Sequence, residues 1–215
     1  MIEYLEIREK VIYYSLQSQK TGLIKGTSGN ISLRSDDGQV IAITPTSIPY
    51  ELLEPEDIPL VDEYGKVLYG HKKPSSELPM HTHILRARKD IKSVVHTHAM
   101  FCTVMSVLNT ALKAMTVPQL GMGLFPVEVV PFEMPGSEEL GDAIVKGLGE
   151  HGKAVLMANH GMLVADSSLE KAFMGAEYLE EAAQIAYYSL LGGGMNPIPE
   201  EFVQNMVEVA KTRAL

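Results

Sequence analysis

Two imidazoles two residues apart at the end of an apolar run, Lys92-Ser-Val-Val-His-Thr-His98, place the tightest demand on how this chain can fold. Ile91, Val94 and Val95 are β-branched and favour a strand, in which side chains at i and i+2 share a face. His96 and His98 then point the same way and can grip one metal ion. A catalytic zinc site takes three protein ligands and keeps a fourth position open. His160, which ends the apolar run Val155-Leu-Met-Ala-Asn-His-Gly161, is the obvious third, with Gly161 free to turn the backbone sharply after it. A lone histidine at a strand end is more often an ordinary hydrogen-bonded group. Two on one strand face, with a third at the end of another strand, favour metal. His81-Thr-His83 has the same spacing but lies in a helical stretch, where positions i and i+2 diverge by about 200°, so these two rings cannot share one ion.

A length of 215 residues with 46% hydrophobic and 21% charged residues predicts one soluble globular domain, 1–215, with a substantial core. No apolar run approaches the roughly 20 residues that span a bilayer, and the start Met-Ile-Glu-Tyr-Leu-Glu lacks a signal peptide's basic residues, so a cytoplasmic location is expected. Cys102 is the single cysteine and sits in an apolar segment, where a small buried side chain is its expected role. A net charge of −9 argues against nucleic acid as a partner and predicts that any anionic substrate is held by neutral donors or by a metal.

In chain order, residues 3 to 20 read as a helix with Leu5, Ile12 and Leu16 on its apolar side and Gly22 ending it. Gly26-Thr-Ser-Gly-Asn30 is a small-residue loop that opens into a strand and lets a phosphate approach the backbone, although on its own it reads as a plain turn. Asp36-Asp-Gly38 joins that strand to Val40–Thr44 as a hairpin. Residues 58–62 and 67–69 form another, with Pro59 suited to a sheet edge. Lys73-Pro-Ser-Ser-Glu77 opens a helix to about Lys89, with Ser75 or Ser76 as its cap; a negative charge in the first turn would then be a purely local role for Glu77. Helices follow at 99–107, 137–148 and 168–191, the last bearing an apolar stripe of core or interface type. The segment 127–132 reads as a strand, 117–123 as loop, and a final helix is expected near Glu200 to Lys211. Early hairpins and few βαβ units predict an α/β fold: three layers, α/β/α, around a mainly antiparallel central sheet.

Taken together, Gly29-Asn30, Thr44-Pro-Thr46, Pro74-Ser-Ser-Glu77, His96-Thr-His98 and His160-Gly161 resemble the class II aldolase and epimerase family, in its fuculose-phosphate aldolase branch, over nearly the whole chain. The resemblance implies one Zn2+ per subunit held by His96, His98 and His160, with Glu77 as catalytic acid/base. It also implies a substrate-phosphate site made by Gly29, Asn30, Thr46, Ser47, Ser75 and Ser76, and a cyclic homotetramer with active sites at subunit contacts. The implied reaction is retro-aldol cleavage of a ketose 1-phosphate, L-fuculose 1-phosphate foremost, to dihydroxyacetone phosphate and L-lactaldehyde. A Lewis-acid zinc would stabilise the electrons left on the dihydroxyacetone phosphate fragment, and Glu77 would supply the quenching proton. Within the same resemblance, methylthioribulose-1-phosphate dehydratase and ribulose-phosphate 4-epimerase are alternatives, the epimerase branch carrying Asp where Glu77 stands. A non-catalytic adducin-like interaction module is the alternative of another class. The chain departs from the family pattern in three places, one of them a C-terminal tail without a tyrosine after Tyr188. Val117 stands where the family has an aldehyde-protonating tyrosine, and Ser47 follows Thr46 where the family has glycine.

Overall fold

The computed structural model describes residues 3–205. In chain order the elements are α1 (Leu5–Lys20), β1 (Gly29–Arg34), β2 (Ile41–Ile43), β3 (Leu60–Val61), β4 (Val67–Tyr69), α2 (Leu78–Ala87), β5 (Ser93–Thr97), α3 (Met100–Val107), α4 (Val117–Gly121), β6 (Val129–Val130), α5 (Glu138–Leu148), β7 (Ala154–Met157), β8 (Gly161–Asp166) and α6 (Leu169–Leu191). The strands form one sheet in the order β4-β3-β2-β1-β5-β8-β7-β6. Every neighbouring pair is antiparallel except β6 and β7.

Side chains that alternate along a strand feed two cores, one on each face of the sheet. Val95, Met162 and Val164 pack with Val11 of α1, Met105 of α3 and Ala176 of α6. Val94, Leu163 and Ala165 pack on the other face with Met80 and Ile84 of α2 and Ile144 of α5. The three-layer α/β/α arrangement with a mainly antiparallel sheet is therefore the observed fold, and β1, β5 and β8 are its centre.

The caps of the later helices follow the sequence pattern. Ser137 accepts from the Leu140 N–H at the start of α5, and Ser168 accepts from the Lys171 N–H at the start of α6. Cys102 is a buried free thiol, as its apolar segment predicts.

Elsewhere the structure departs from the sequence-based expectation. The buried face of α1 is Arg8, Val11, Ser15 and Ser18, whereas Leu5 is exposed. Arg8 is tolerated there because its guanidinium donates to the carbonyls of Pro55 and Ile58, and the Ser15 hydroxyl donates to the carbonyl of Val11. Residues 117–121 are helical rather than loop, with Thr116 as N-cap and Pro118 in the first turn. Pro59 precedes an inner strand and is not at an edge; its carbonyl accepts from the Ile43 N–H. The expected last helix begins at 200 and continues to 205, and the rest of its predicted span lies outside the described residues.

Candidate metal centre and its surroundings

His96 sits in the middle of the sheet, opposite Asn30 of β1 on one side and Leu163 of β8 on the other. Its Nδ1–H donates to the Met162 carbonyl at 2.8 Å, which fixes the tautomer and leaves Nε2 with a lone pair. His98 lies one residue beyond β5, yet its Nε2 comes within 3.1 Å of His96 Nε2. His160 ends the turn between β7 and β8, and its ring centroid lies 4.8 Å from that of His96 and 4.9 Å from that of His98. The three rings predicted to converge therefore do. His81 and His83 diverge on α2, as their helical spacing requires: His81 bonds to Asn30 and Ser32, while His83 faces the Pro79 carbonyl and Asp142.

Glu77 reaches the same point from the start of α2. The helix begins at Leu78, two residues later than a cap at Ser75 would set it, and Glu77 is the N-cap without a side-chain cap bond. The Ser75 hydroxyl instead accepts from the Glu77 N–H at 3.2 Å. That turn aims the carboxylate away from the helix end and into the histidine cluster. Oε2 lies 3.2 Å from His96 Nε2 and Oε1 lies 3.3 Å from His160 Nε2. A purely local helix-charge role does not account for this direction.

One ligand atom from each of Glu77, His96, His98 and His160 falls within 4.8 Å of all the others. Among the described residues, Glu77 Oε1 and His160 Nδ1 are buried without a hydrogen-bond partner. Burial by itself would raise the Glu77 carboxyl, but the adjacent His160 and His96 rings and the Asn30 amide outweigh it and hold the group well below the usual carboxylate range. The His98 imidazole is pushed down to about 4 by burial and then by the neighbouring His96 and His160 rings. A neutral imidazole is the form that ligates a metal, so at neutral pH this ring is ready to do so. Converging lone pairs and a carboxylate are what a divalent ion would complete, and the donor set fits Zn2+.

Gly161 matters here for a reason other than turning. The left-handed residue of this turn is Asn159, at φ 55°, and Gly161 is an ordinary strand position facing Met157. A Cβ on Gly161 would stand 2.5 Å from the Thr97 carbonyl oxygen and 3.1 Å from the His98 ring. Glycine lets β8 approach β5 closely enough for His160 and His98 to meet. Gly161→Ala is expected to displace His98 and weaken uptake of a divalent metal by roughly 10–100-fold, the range for disturbed outer support of metal ligands. Competition against a chromogenic chelator measures it, and unchanged affinity would refute the close-approach account.

The loops predicted to bind phosphate border this cluster. Residues 44–46 and 73–75 run antiparallel, with the Ser75 N–H donating to the Thr44 carbonyl and the Thr46 N–H to the Lys73 carbonyl, both at 3.0 Å. Ser47 and Ser76 are exposed at the rim, and Ser75 is buried. Ser47 adopts φ 58°, which explains why glycine is at home there in the family pattern. Gly29 starts β1, and its carbonyl accepts from the buried Tyr50 hydroxyl. Asn30 is buried, with its amide donating to Glu77 Oε2 at 2.8 Å and its oxygen 2.5 Å from His81 Nε2. His81 is the functional neighbour that the sequence does not flag. Val117, in place of the family's tyrosine, is 69% exposed and carries no acid–base atom.

Comparison with known proteins agrees with this geometry. The pattern of the class II aldolase and adducin N-terminal domain matches residues 9–187. A 5-deoxy-D-ribulose 1-phosphate aldolase of Bacillus thuringiensis is 35% identical over 94% of this chain and 93% of its own. The L-fuculose phosphate aldolase of Escherichia coli K12 is 34% identical over 100% of this chain and 98% of its own. A solved structure of an L-fuculose 1-phosphate aldolase superposes with a TM-score of 0.91 at 32% identity, covering 98% of both chains. On these matches the chain belongs to the class II aldolase and adducin N-terminal domain family, a metal-dependent family, and is an enzyme of its aldolase, hence lyase, kind.

Proposed function

We propose that this protein is a zinc-dependent aldolase that cleaves a 5- or 6-carbon deoxyketose 1-phosphate to dihydroxyacetone phosphate and a short aldehyde. The observation that carries this is the Glu77 carboxylate, with Oε1 buried, unpartnered among the described residues and turned into the cluster of His96, His98 and His160. A pure scaffold of adducin type gains nothing from four converging ligand atoms, and the epimerase branch has Asp at the position of Glu77. Zinc held by the three histidines would act as a Lewis acid towards the substrate's carbonyl oxygen. The C3–C4 bond breaks with its electron pair left on C3; Glu77, ionised in the free site, takes up a proton from solvent as the substrate binds and delivers it to C3. The C4 hydroxyl loses its proton as it becomes the aldehyde, and a group other than Val117 must take it.

The phosphate is held by neutral donors: the hydroxyls of Thr46, Ser47, Ser75 and Ser76, backbone N–H groups beside Gly29, and the second amide proton of Asn30. This suits a chain of net charge −9, because a pocket of dipoles attracts a phosphate without a lysine or arginine in it. We also propose a homotetramer, working in the cytoplasm, whose neighbouring subunit closes the aldehyde side. Exposed Met100, Val107, Phe132 and Met134 give apolar surface for such a contact. Gly136 lies against the Ser76 carbonyl, so the loop after Phe132 borders the phosphate site.

The test is release of dihydroxyacetone phosphate from L-fuculose 1-phosphate and from 5-deoxy-D-ribulose 1-phosphate, each with metal-replete and chelator-treated protein. Chelator-sensitive release from one of them is expected, and the faster substrate identifies the aldehyde half. The two relatives above are named for these two substrates and are nearly equally similar to this chain. Loss of water from methylthioribulose 1-phosphate without carbon–carbon cleavage would replace the aldolase assignment with a dehydratase.

A further inference from the structure

His81 is completely buried, belongs to no predicted ligand set, and makes two hydrogen bonds to β1 across about fifty residues of sequence. The polarity of this chain of bonds follows from its end. A carboxylate accepts only, so the Asn30 atom facing Glu77 Oε2 is the amide nitrogen, and the atom facing His81 is the carbonyl oxygen. That oxygen needs a donor, which puts the proton of His81 on Nε2. His81 Nδ1 is then an acceptor, satisfied by the Ser32 hydroxyl at 2.7 Å. The bonds run one way, from Ser32 through His81 and Asn30 to Glu77. Burial depresses the His81 imidazole to about 3, with His96 adding to the effect and Glu77 opposing it, so the ring is the neutral donor–acceptor that this order requires.

We infer that His81 is a positioning residue for the catalytic carboxylate, locking the Asn30 carboxamide in the one orientation that donates to Glu77 Oε2. The inference rests on the proposed role of Glu77. Without His81, Asn30 is free to flip and present its oxygen to the carboxylate, and Glu77 loses the bond that leaves Oε1 as its free, reacting end. His96 cannot substitute, since its N–H is committed to the Met162 carbonyl.

The experiment compares His81→Phe, His81→Gln, Asn30→Ala and the double variant His81→Phe/Asn30→Ala, all zinc-loaded to the same stoichiometry. In His81→Phe, kcat is expected to fall roughly 10–100-fold with KM little changed, a loss typical of removed outer support. Glutamine places a side-chain N–H near the position of an imidazole Nε2–H, so His81→Gln should recover most of kcat. Added to Asn30→Ala, the His81→Phe change should lower kcat no further, because the two act in series. A role in packing alone predicts a lower melting temperature with kcat intact, or independent, multiplying losses; either result overturns the inference. A readout free of turnover separates it from the aldolase assignment: exchange protection of the Asn30 side-chain amide, read by NMR on 15N-labelled protein. That protection should be high in the native protein and lost in His81→Phe. Protection that survives the substitution refutes the positioning role. Absence of dihydroxyacetone phosphate release by the native protein refutes only the assigned reaction, leaving the exchange result to decide on His81.

Discussion

Glu77→Gln is expected to lower kcat for dihydroxyacetone phosphate release by about 10²–10⁴-fold, the usual contribution of a positioned general acid or base. Zinc stoichiometry and the melting transition should stay near those of the unmodified protein. Glutamine keeps the shape and an oxygen that can accept from Asn30, so the bond at 2.8 Å survives. It removes the one atom that can carry a proton to carbon. The three imidazoles come from the end of β5 and the β7–β8 turn, not from the α2 start that carries Glu77, so their convergence should survive the change. The assay must therefore be paired with metal analysis. Activity lost in proportion to zinc would make Glu77 a ligand rather than an acid, and undiminished activity would remove it from the mechanism.

Most local signals in this sequence were legible where a single residue decides the local structure, the cap expected at Ser75 or Ser76 excepted. Ser137 and Ser168 cap their helices as their positions predict, and Asp36-Asp-Gly38 makes the hairpin between β1 and β2. The convergence of the three histidines was legible for a related reason: a two-residue spacing on a strand and a glycine after a strand-end histidine are local patterns with geometric meaning. What sequence hid was decided at long range. The buried face of α1 looks polar because Arg8 bonds to carbonyls near fifty residues away. Helix α4 spans only Val117–Gly121 and depends on buried Gln119, whose side chain donates to the Lys113 and Leu124 carbonyls and accepts from the Met115 N–H. No periodicity over so short a segment could show that. His81 was readable as unable to pair with His83, but its bonds to Asn30 and Ser32 exist only because α2 lies across β1. The glycine after His160 was legible as special, and its reason was not: the need is for closeness to Thr97 and His98.

Removing His98 should reverse the order of stability depending on metal, because the site is built for an ion at the expense of the empty protein. The unfolded chain takes up the His98 proton near the ordinary value of 6.5, and the folded site only near 4. Between these values the unfolded state holds more protons, so metal-free stability falls as pH falls from 6.5 towards 4. The shift arises first from burial and then from His96 and His160, and His98→Ala abolishes it. At pH 5 the metal-free variant should therefore exceed the metal-free parent by about 1 kcal/mol, discounted for solvent screening at a partly exposed ring. At pH 8 the ring is neutral in both states, and this difference disappears. Zinc inverts the order: at about 1,000 times its dissociation constant, a ligand that binds only the folded state adds about 4 kcal/mol. The parent gains that, while the variant, left with His96 and His160, gains little and releases no dihydroxyacetone phosphate. Thermal denaturation of both proteins at pH 5 and 8, with chelator, and at pH 8 with zinc, gives the three comparisons. A variant less stable than the parent under all three would mean that His98 supports the fold directly, and that the strain of three converging imidazoles is relieved by something other than metal.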